Sequence, residues 1–379
     1  MTDQTKIEWA DSTFNPWIGC IKISPACDHC YAAAWDHRFA VSGHAMRWGA
    51  GKARDRTSAE YWKKPPAWNR AADNFVECSG CGRRGDKRTW MSDINRTRPN
   101  AISCCPERKL IPTRRRVFCG SLCDVFDNEV PPLWRQHLMS LVADTPNLDW
   151  LFLTKRIGNA QRMLESASMH DSRLLTTNDQ YRPLKNLWLG ITVCNQEEAD
   201  RDIPKLLAVP AAKRFLSVEP VLSAINLRHL NEDREINEID CLKPTLWGEE
   251  IDGAWRDTTD EWEDEFLDWY SLSKLPDPAA PMHEKIDWVI CGGESGPHAR
   301  PMHPDWPRSL RDQCVAAGTP FFFKQWGEFL PSLPKLWPHS VTGAHHVPTA
   351  TVDGCEMVRV GKKHAGRSLD GRKWNEVPS

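Results

Sequence analysis

Three cysteines near the start of the chain, Cys20, Cys27 and Cys30, follow the spacing Cys-x6-Cys-x2-Cys. They fall within Asn15-Pro16-Trp17-Ile18-Gly19-Cys20-Ile21-Lys22-Ile23-Ser24-Pro25-Ala26-Cys27-Asp28-His29-Cys30-Tyr31, where Pro16, Gly19 and Pro25 mark a loop. Three thiolates can hold three irons of a 4Fe-4S cluster and leave the fourth iron open to a substrate or cofactor. Such an iron can chelate the amino and carboxylate groups of S-adenosyl-L-methionine and deliver the electron that cleaves its sulfonium. The same residues also suit a structural zinc ion, with His29 or His37 as fourth ligand, or simply three free thiols. A second set, Cys78-Ser79-Gly80-Cys81 followed by Cys104-Cys105-Pro106, reads as a four-thiolate zinc ribbon. The adjacent pair departs from the usual repeat of Cys-x2-Cys, so loose thiols or a second iron–sulfur cluster are the alternatives there.

These residues need elements to position them. Short continuous apolar runs occur at Arg116–Cys119, Trp150–Leu153, Leu187–Leu189, Arg214–Leu216, Trp288–Cys291 and Pro320–Phe323, as parallel strands covered on both faces require. A first strand is expected to lie before about Ile18, and Tyr31–Val41 reads as a helix following the cysteine loop. Amphipathic segments separate the later strands. Leu133–Ala143 aligns Leu138, Leu141 and Val142, and Glu197–Ala208 aligns Ile203, Leu206 and Leu207. Asp305–Ala317 is expected to start on an acidic N-cap and stop at Gly318. The alternation predicts an α/β fold with a parallel sheet, closing partly or fully into a TIM-like barrel, with an open doubly wound sheet as the alternative. The expected organisation is a first β/α unit over residues 1–42 and a basic cysteine-rich insertion over 43–112. The rest of the barrel follows over 113–330, with an acidic insertion at 226–286, and then a C-terminal extension over 331–379.

In a parallel barrel the chemistry gathers at the carboxyl ends of the strands. Those ends carry Gly120, Ser121, Cys123 and Asp124; Thr154, Lys155 and Arg156; Gly190, Thr192 and Asn195; Ser217 and Glu219; Gly292, Gly293, Glu294, Arg300 and His303; and Lys324. Buried charges are costly unless paired, so Glu219, Glu294, Lys155, Arg156 and Arg300 either serve a ligand or satisfy one another.

The blocks Lys6–Trp9, Asn15-Pro16, Gly19-Cys20, Ser24-Pro25, Cys27-Asp28 and Cys30-Tyr31 together resemble the opening of a largely uncharacterised, phage-associated family regarded as radical-S-adenosylmethionine-like. The resemblance runs on through Phe118–Phe126, Leu151–Arg156, Gly190–Val193, Ser217–Leu222, Gly292–Pro304, Phe322–Trp326 and Leu369–Arg372, leaving out the two insertions. More distantly, the family is similar to spore photoproduct lyase, which repairs a thymine dimer in DNA. The resemblance implies a radical-type barrel with Cys20, Cys27 and Cys30 on the 4Fe-4S cluster, and an external electron donor. It places His29 beside the adenine, Gly120, Ser121 and Asp124 at the methionine end, and Thr192, Asn195 and Glu219 near the ribose. Glu294, Lys155 and Arg300 would face the substrate, and Cys123 is a candidate hydrogen-atom donor. The six-residue interval between the first two cysteines differs from the three-residue interval usual in radical enzymes.

Composition sets the outer bounds. The chain has 379 residues, a formal net charge of −2 and 40% hydrophobic residues, as a globular protein does. No apolar run is long enough to cross a bilayer, and the N-terminus has no basic-then-apolar signal pattern, so a cytoplasmic, non-membrane protein is expected. In that compartment the 14 cysteines read as ligands and core residues. Charge is uneven: Arg38 to Arg116 holds 19 Lys/Arg against 7 Asp/Glu, and Glu232 to Asp287 holds 18 Asp/Glu against 5 Lys/Arg. The basic stretch, interleaved with Trp48, Tyr61, Trp62, Trp68 and Trp90, suits a DNA or RNA substrate held by backbone charge and base stacking. A solvated insertion is the plainer reading. The leading functional expectation is a radical enzyme modifying or repairing a nucleobase. The alternatives are a zinc-containing nucleic-acid-binding protein without radical chemistry, and a radical enzyme acting on a small metabolite or peptide.

Overall fold

The computed structural model describes residues 5–87 (except Ser42 and His44), 109–175, 181–230, 239–243, 249–251, 254–256, 285–332 and 349–378. Its centre is a seven-stranded sheet: β1 (Ser12–Phe14), β2 (Arg115–Cys119), β3 (Leu148–Thr154), β4 (Leu187–Thr192), β5 (Lys213–Val218), β6 (Trp288–Gly292) and β7 (Phe321–Gln325). Every neighbouring pair is parallel. The strands lie in chain order from one edge to the other. A doubly wound sheet reverses its strand order at a switch point; this one does not, and it forms a partial barrel.

Helices α1 (Tyr31–Val41), α2 (Pro132–Asp144), α3 (Ile157–Ser168), α4 (Gln196–Ala208) and α5 (Asp305–Ala317) accompany the strands. One expectation about a helix end needs correcting. Asp305 is the first helical residue of α5 rather than its cap; Pro304 occupies the cap position and makes no side-chain capping bond. The first strand lies before Ile18 as expected, ending at Phe14, and Trp17–Ile18 pairs antiparallel with Asp55–Arg56. Gly318 terminates α5 at φ 66°, as expected.

Residue alternation along the strands separates two cores. Val117, Trp150, Phe152, Leu189, Leu216, Val289 and Phe321 pack in the cluster that includes the helices. Phe118, Leu151, Trp188, Phe215, Trp288, Ile290 and Phe322 form a second, with Trp9 among them. Gly190 follows from this second core, since a Cβ there would lie 2.4 Å from the Phe215 ring. The parity of β7 puts Lys324 on the same face as Phe322, one step nearer the carboxyl end of the strand.

The far edge of the sheet is covered. Asn375 bridges antiparallel to Phe322, and Phe323 donates its N–H to the Trp374 carbonyl at 3.0 Å. Covering a strand edge in this way removes a template for pairing with another chain. Before that, Phe329–Pro331, Thr349–Val352 and Cys355–Arg359 make a small antiparallel sheet. Among the described residues no helix is long and apolar enough to cross a membrane.

Candidate metal centre at the mouth of the partial barrel

The cysteine loop lies against the carboxyl ends of the strands, and hydrogen bonds tie it to three of them. At the end of β2, Tyr31 donates its hydroxyl to the Ser121 carbonyl at 2.6 Å, and Gly19 donates its N–H to the Leu122 carbonyl at 3.1 Å. Asn15 accepts from Leu122 N–H at 2.8 Å and donates to the Ser121 hydroxyl at 3.1 Å. At the end of β3, Arg156 donates to the Cys20 sulfur at 3.3 Å and to the Ile21 carbonyl at 2.8 Å. Beyond β6, Arg300 donates to the Pro25 carbonyl and to Asp28, both at 3.0 Å, and Glu294 pairs with His29 at 3.1 Å.

This arrangement brings the three cysteines together around one cavity of about 130 Å³. Cys20, Cys27 and Cys30 line it with Gly120, Ser121, Cys123, Asp124, Lys155 and Arg156, over an apolar wall that includes Phe118 and Leu153. Gly120 turns the chain there at φ 92°, a left-handed conformation that favours glycine. Among the described residues, no three His, Cys, Asp or Glu side chains converge as they would on a single metal ion. A cluster asks for something different, thiolates spread around one hollow so that each meets its own iron. All three cysteines line the one cavity.

The local electrostatics oppose a bare thiolate. Burial, helped by the Asp124 carboxylate and countered by Arg156, pushes the Cys20 thiol up to about 12. Burial also raises Cys123 and Cys119 well above the ordinary thiol value, with each other's charge adding to Cys123. A bound cation would reverse this balance, because a coordinating thiol is deprotonated outright.

Several residues expected at a ligand are committed elsewhere. Asp124 accepts from Phe126 N–H at 2.9 Å, the Thr154 hydroxyl at 2.8 Å, Lys155 N–H at 3.1 Å and Arg156 at 3.1 Å. A carboxylate has about four such sites, so Asp124 braces Arg156 instead of meeting an amine. Asn195 caps α4, accepting from Glu198 N–H at 2.9 Å. Glu219 is paired with Lys324 at 3.0 Å, and a Cβ on Gly292 would lie 2.6 Å from its carboxylate. Thr192 is buried at the end of β4; neither it, Asn195 nor Glu219 lines the cavity. Glu294 and Arg300 form a two-contact pair, at 2.8 and 2.7 Å, turned toward the cysteine loop. The mutual-satisfaction alternative therefore describes Glu294 with Arg300. Lys155 differs: it lines the cavity, and among the described residues no carboxylate pairs with its ammonium.

Sequence reasoning gave too little weight to two members of this site. Arg156 was visible only as one strand-end charge, and Asn15 only as part of a motif.

In the basic stretch, the strand Phe75–Cys78 pairs with Arg84–Asp86 and with Leu110–Pro112. Cys78 is buried and Cys81 exposed; Cys104 and Cys105 lie outside the described residues. Among the described residues, Tyr61, Trp62 and Trp68 pack inward rather than forming the expected stacking platform. Tyr61 stacks on Phe14 at 5.2 Å, Trp62 meets the same ring edge-on at 5.4 Å, and Trp68 is buried. They fold the segment onto the sheet. Trp48 lines the cavity, and Trp90 lies outside the described residues.

The chain belongs to the family described as protein of unknown function (DUF5131), whose model matches residues 4–378. No curated protein and no solved structure matches it.

Proposed function

We propose that this chain is an iron–sulfur enzyme of the radical S-adenosylmethionine type, acting on a nucleobase in DNA or RNA. One observation supports it above the others: three loop thiols, tied to three strand ends, surround one cavity also lined by Lys155, whose ammonium no carboxylate pairs with among the described residues. Cys20, Cys27 and Cys30 would hold a 4Fe-4S cluster, which when bound supplies the electron that cleaves the sulfonium of S-adenosylmethionine. The chain's own residues do the rest. Lys155 offers its ammonium to a carboxylate or phosphate in the cavity. Cys123 keeps its hydrogen at the cavity wall, since burial holds it as a thiol. Arg300 and Glu294 hold the loop in place rather than touching substrate. The Ser121 carbonyl anchors Tyr31 at the rim.

Protein purified without oxygen is expected to carry about four irons with charge-transfer absorbance. Alanine at any one of Cys20, Cys27 or Cys30 should abolish that absorbance. Full iron content in the triple variant would overturn the assignment. Zinc without iron in the wild type would favour a zinc-containing nucleic-acid-binding protein instead.

A separate zinc ion is proposed at Cys78, Cys81, Cys104 and Cys105. Ser79 and Lys109 exchange two hydrogen bonds, at 3.0 and 3.1 Å, so the chain returns to the knuckle within a few residues of Cys105. Cys78→Ser should lower zinc content and leave iron untouched. Unchanged zinc in that variant would reduce these thiols to packing.

A further inference from the structure

The cysteine loop is gripped by two arginines, and the two grips differ chemically. Arg300 takes the loop by the Pro25 carbonyl and the Asp28 carboxylate; among the described residues none of its hydrogen bonds involves a sulfur. Arg156 takes it by the Ile21 carbonyl and by the sulfur of Cys20. Arg156 is itself fixed, since its side chain is 8% exposed and its Nη1 also meets Asp124 at 3.1 Å. Asp124 in turn is held by the Phe126 and Lys155 amides and the Thr154 hydroxyl. The N–H aimed at Cys20 is therefore part of a rigid chain of bonds running back to the end of β3.

We infer that Arg156 is a positioning residue for the three-thiol site, one that orients Cys20 and raises the reduction potential of the cluster bound there. The inference rests on the cluster reading above. A hydrogen bond and a positive charge directed at a ligating sulfur draw electron density from it, which favours the more electron-rich, reduced state. Burial strengthens the effect, because a charge acts with less screening away from water. Cys27 and Cys30 have no arginine donor at their sulfurs among the described residues. The electronic bias is thus one-sided, at the cysteine farthest in sequence from the other two. Arg300 restrains the same loop without this electronic term, and so provides an internal control.

The test compares Arg156→Lys, Arg156→Gln and Arg300→Gln by anaerobic iron analysis and by potentiometric titration followed by electron paramagnetic resonance. Arg156→Gln should lower the midpoint potential by an amount corresponding to at least a tenfold shift in the reduction equilibrium, or ~59 mV for one electron. Arg156→Lys, which keeps a cation but loses the planar fork, should fall between it and the wild type. Arg300→Gln should keep its iron and leave the potential where it is in the wild type. Loss of iron in both Arg156 variants, with retained circular dichroism and with iron kept in Arg300→Gln, would also support the positioning role. Potentials unchanged in iron-loaded Arg156 variants would overturn the inference and leave the cluster reading standing, as would an equal shift in Arg300→Gln. Absence of iron from the wild type would remove both.

Discussion

Asp124 shows how a single side chain can mislead when only its letter and its place after a strand are known. A carboxylate at the mouth of a barrel invites a role at a ligand, yet its acceptor sites are filled by the Phe126 and Lys155 amides, Thr154 and Arg156. Both partners of the Asp124–Arg156 pair are nearly buried, with 7% and 8% of their side chains exposed. Removing one partner of such a pair leaves an uncompensated charge and typically costs about 3–5 kcal/mol. Asp124→Ala is expected to destabilise the protein by that order in denaturant unfolding, iron or no iron. A change within about 0.5 kcal/mol would mean that Arg156 finds another partner. The cysteines were legible for the opposite reason: their spacing states which side chains can share a site, whatever the surrounding bonds do.

At the scale of elements, six of the seven strands were legible because each is a continuous apolar run, the pattern a parallel strand buried on both faces must show. Helix α3 was not legible. Its buried positions, Ile157, Ala160, Met163, Leu164 and Ala167, have helical spacing, but two are alanine and polar residues fill the intervals. The docking of the C-terminal segment was equally hidden, because it depends on pairs distant in sequence. Asp370 receives Arg308 at 3.0 Å and Arg311 at 2.5 Å, which join the segment to α5. Hydrogen bonds from the two arginines hold the Asp370 carboxyl below its ordinary value of 3.8. A group whose folded-state value is depressed stabilises the fold above its unfolded value, and that contribution is lost as pH falls through the folded one. The difference in melting temperature between wild type and Asp370→Asn should therefore be full at neutral pH and close as pH drops below 3.8. A gap that persists in acid would assign the effect of the substitution to packing.

For the molecule as a whole, the question is what the basic stretch does with its charge. A count of letters treats every arginine between Arg38 and Arg116 as available to phosphate, and the structure removes many of them. Arg115 and Arg116 are buried, the first against Ser12 and Asp86, the second against Asp11. Arg114 pairs with Asp149, Arg54 with Asp127, Arg47 with Asp36, and Arg84 with Asp11 and Glu77. Substituting Arg114, Arg115 and Arg116 would therefore damage the core rather than report on a nucleic acid. Lys52, Arg56 and Arg70 are exposed, and Arg56 lies over the Trp62 ring at 4.6 Å. If the substrate is a single strand, each of these that meets a phosphate adds about 0.7 to the slope of log affinity against log salt. Replacing all three with glutamine should flatten that slope by up to about 2, while iron content and melting temperature stay unchanged. The measurement is fluorescence anisotropy of labelled single- and double-stranded DNA and RNA over a range of salt. A slope unaltered in the variant would move the contact off this surface. No binding by the wild type at low salt would end the nucleic-acid reading, leaving the same cavity, with Lys155 at its wall, to a small anionic metabolite or a peptide.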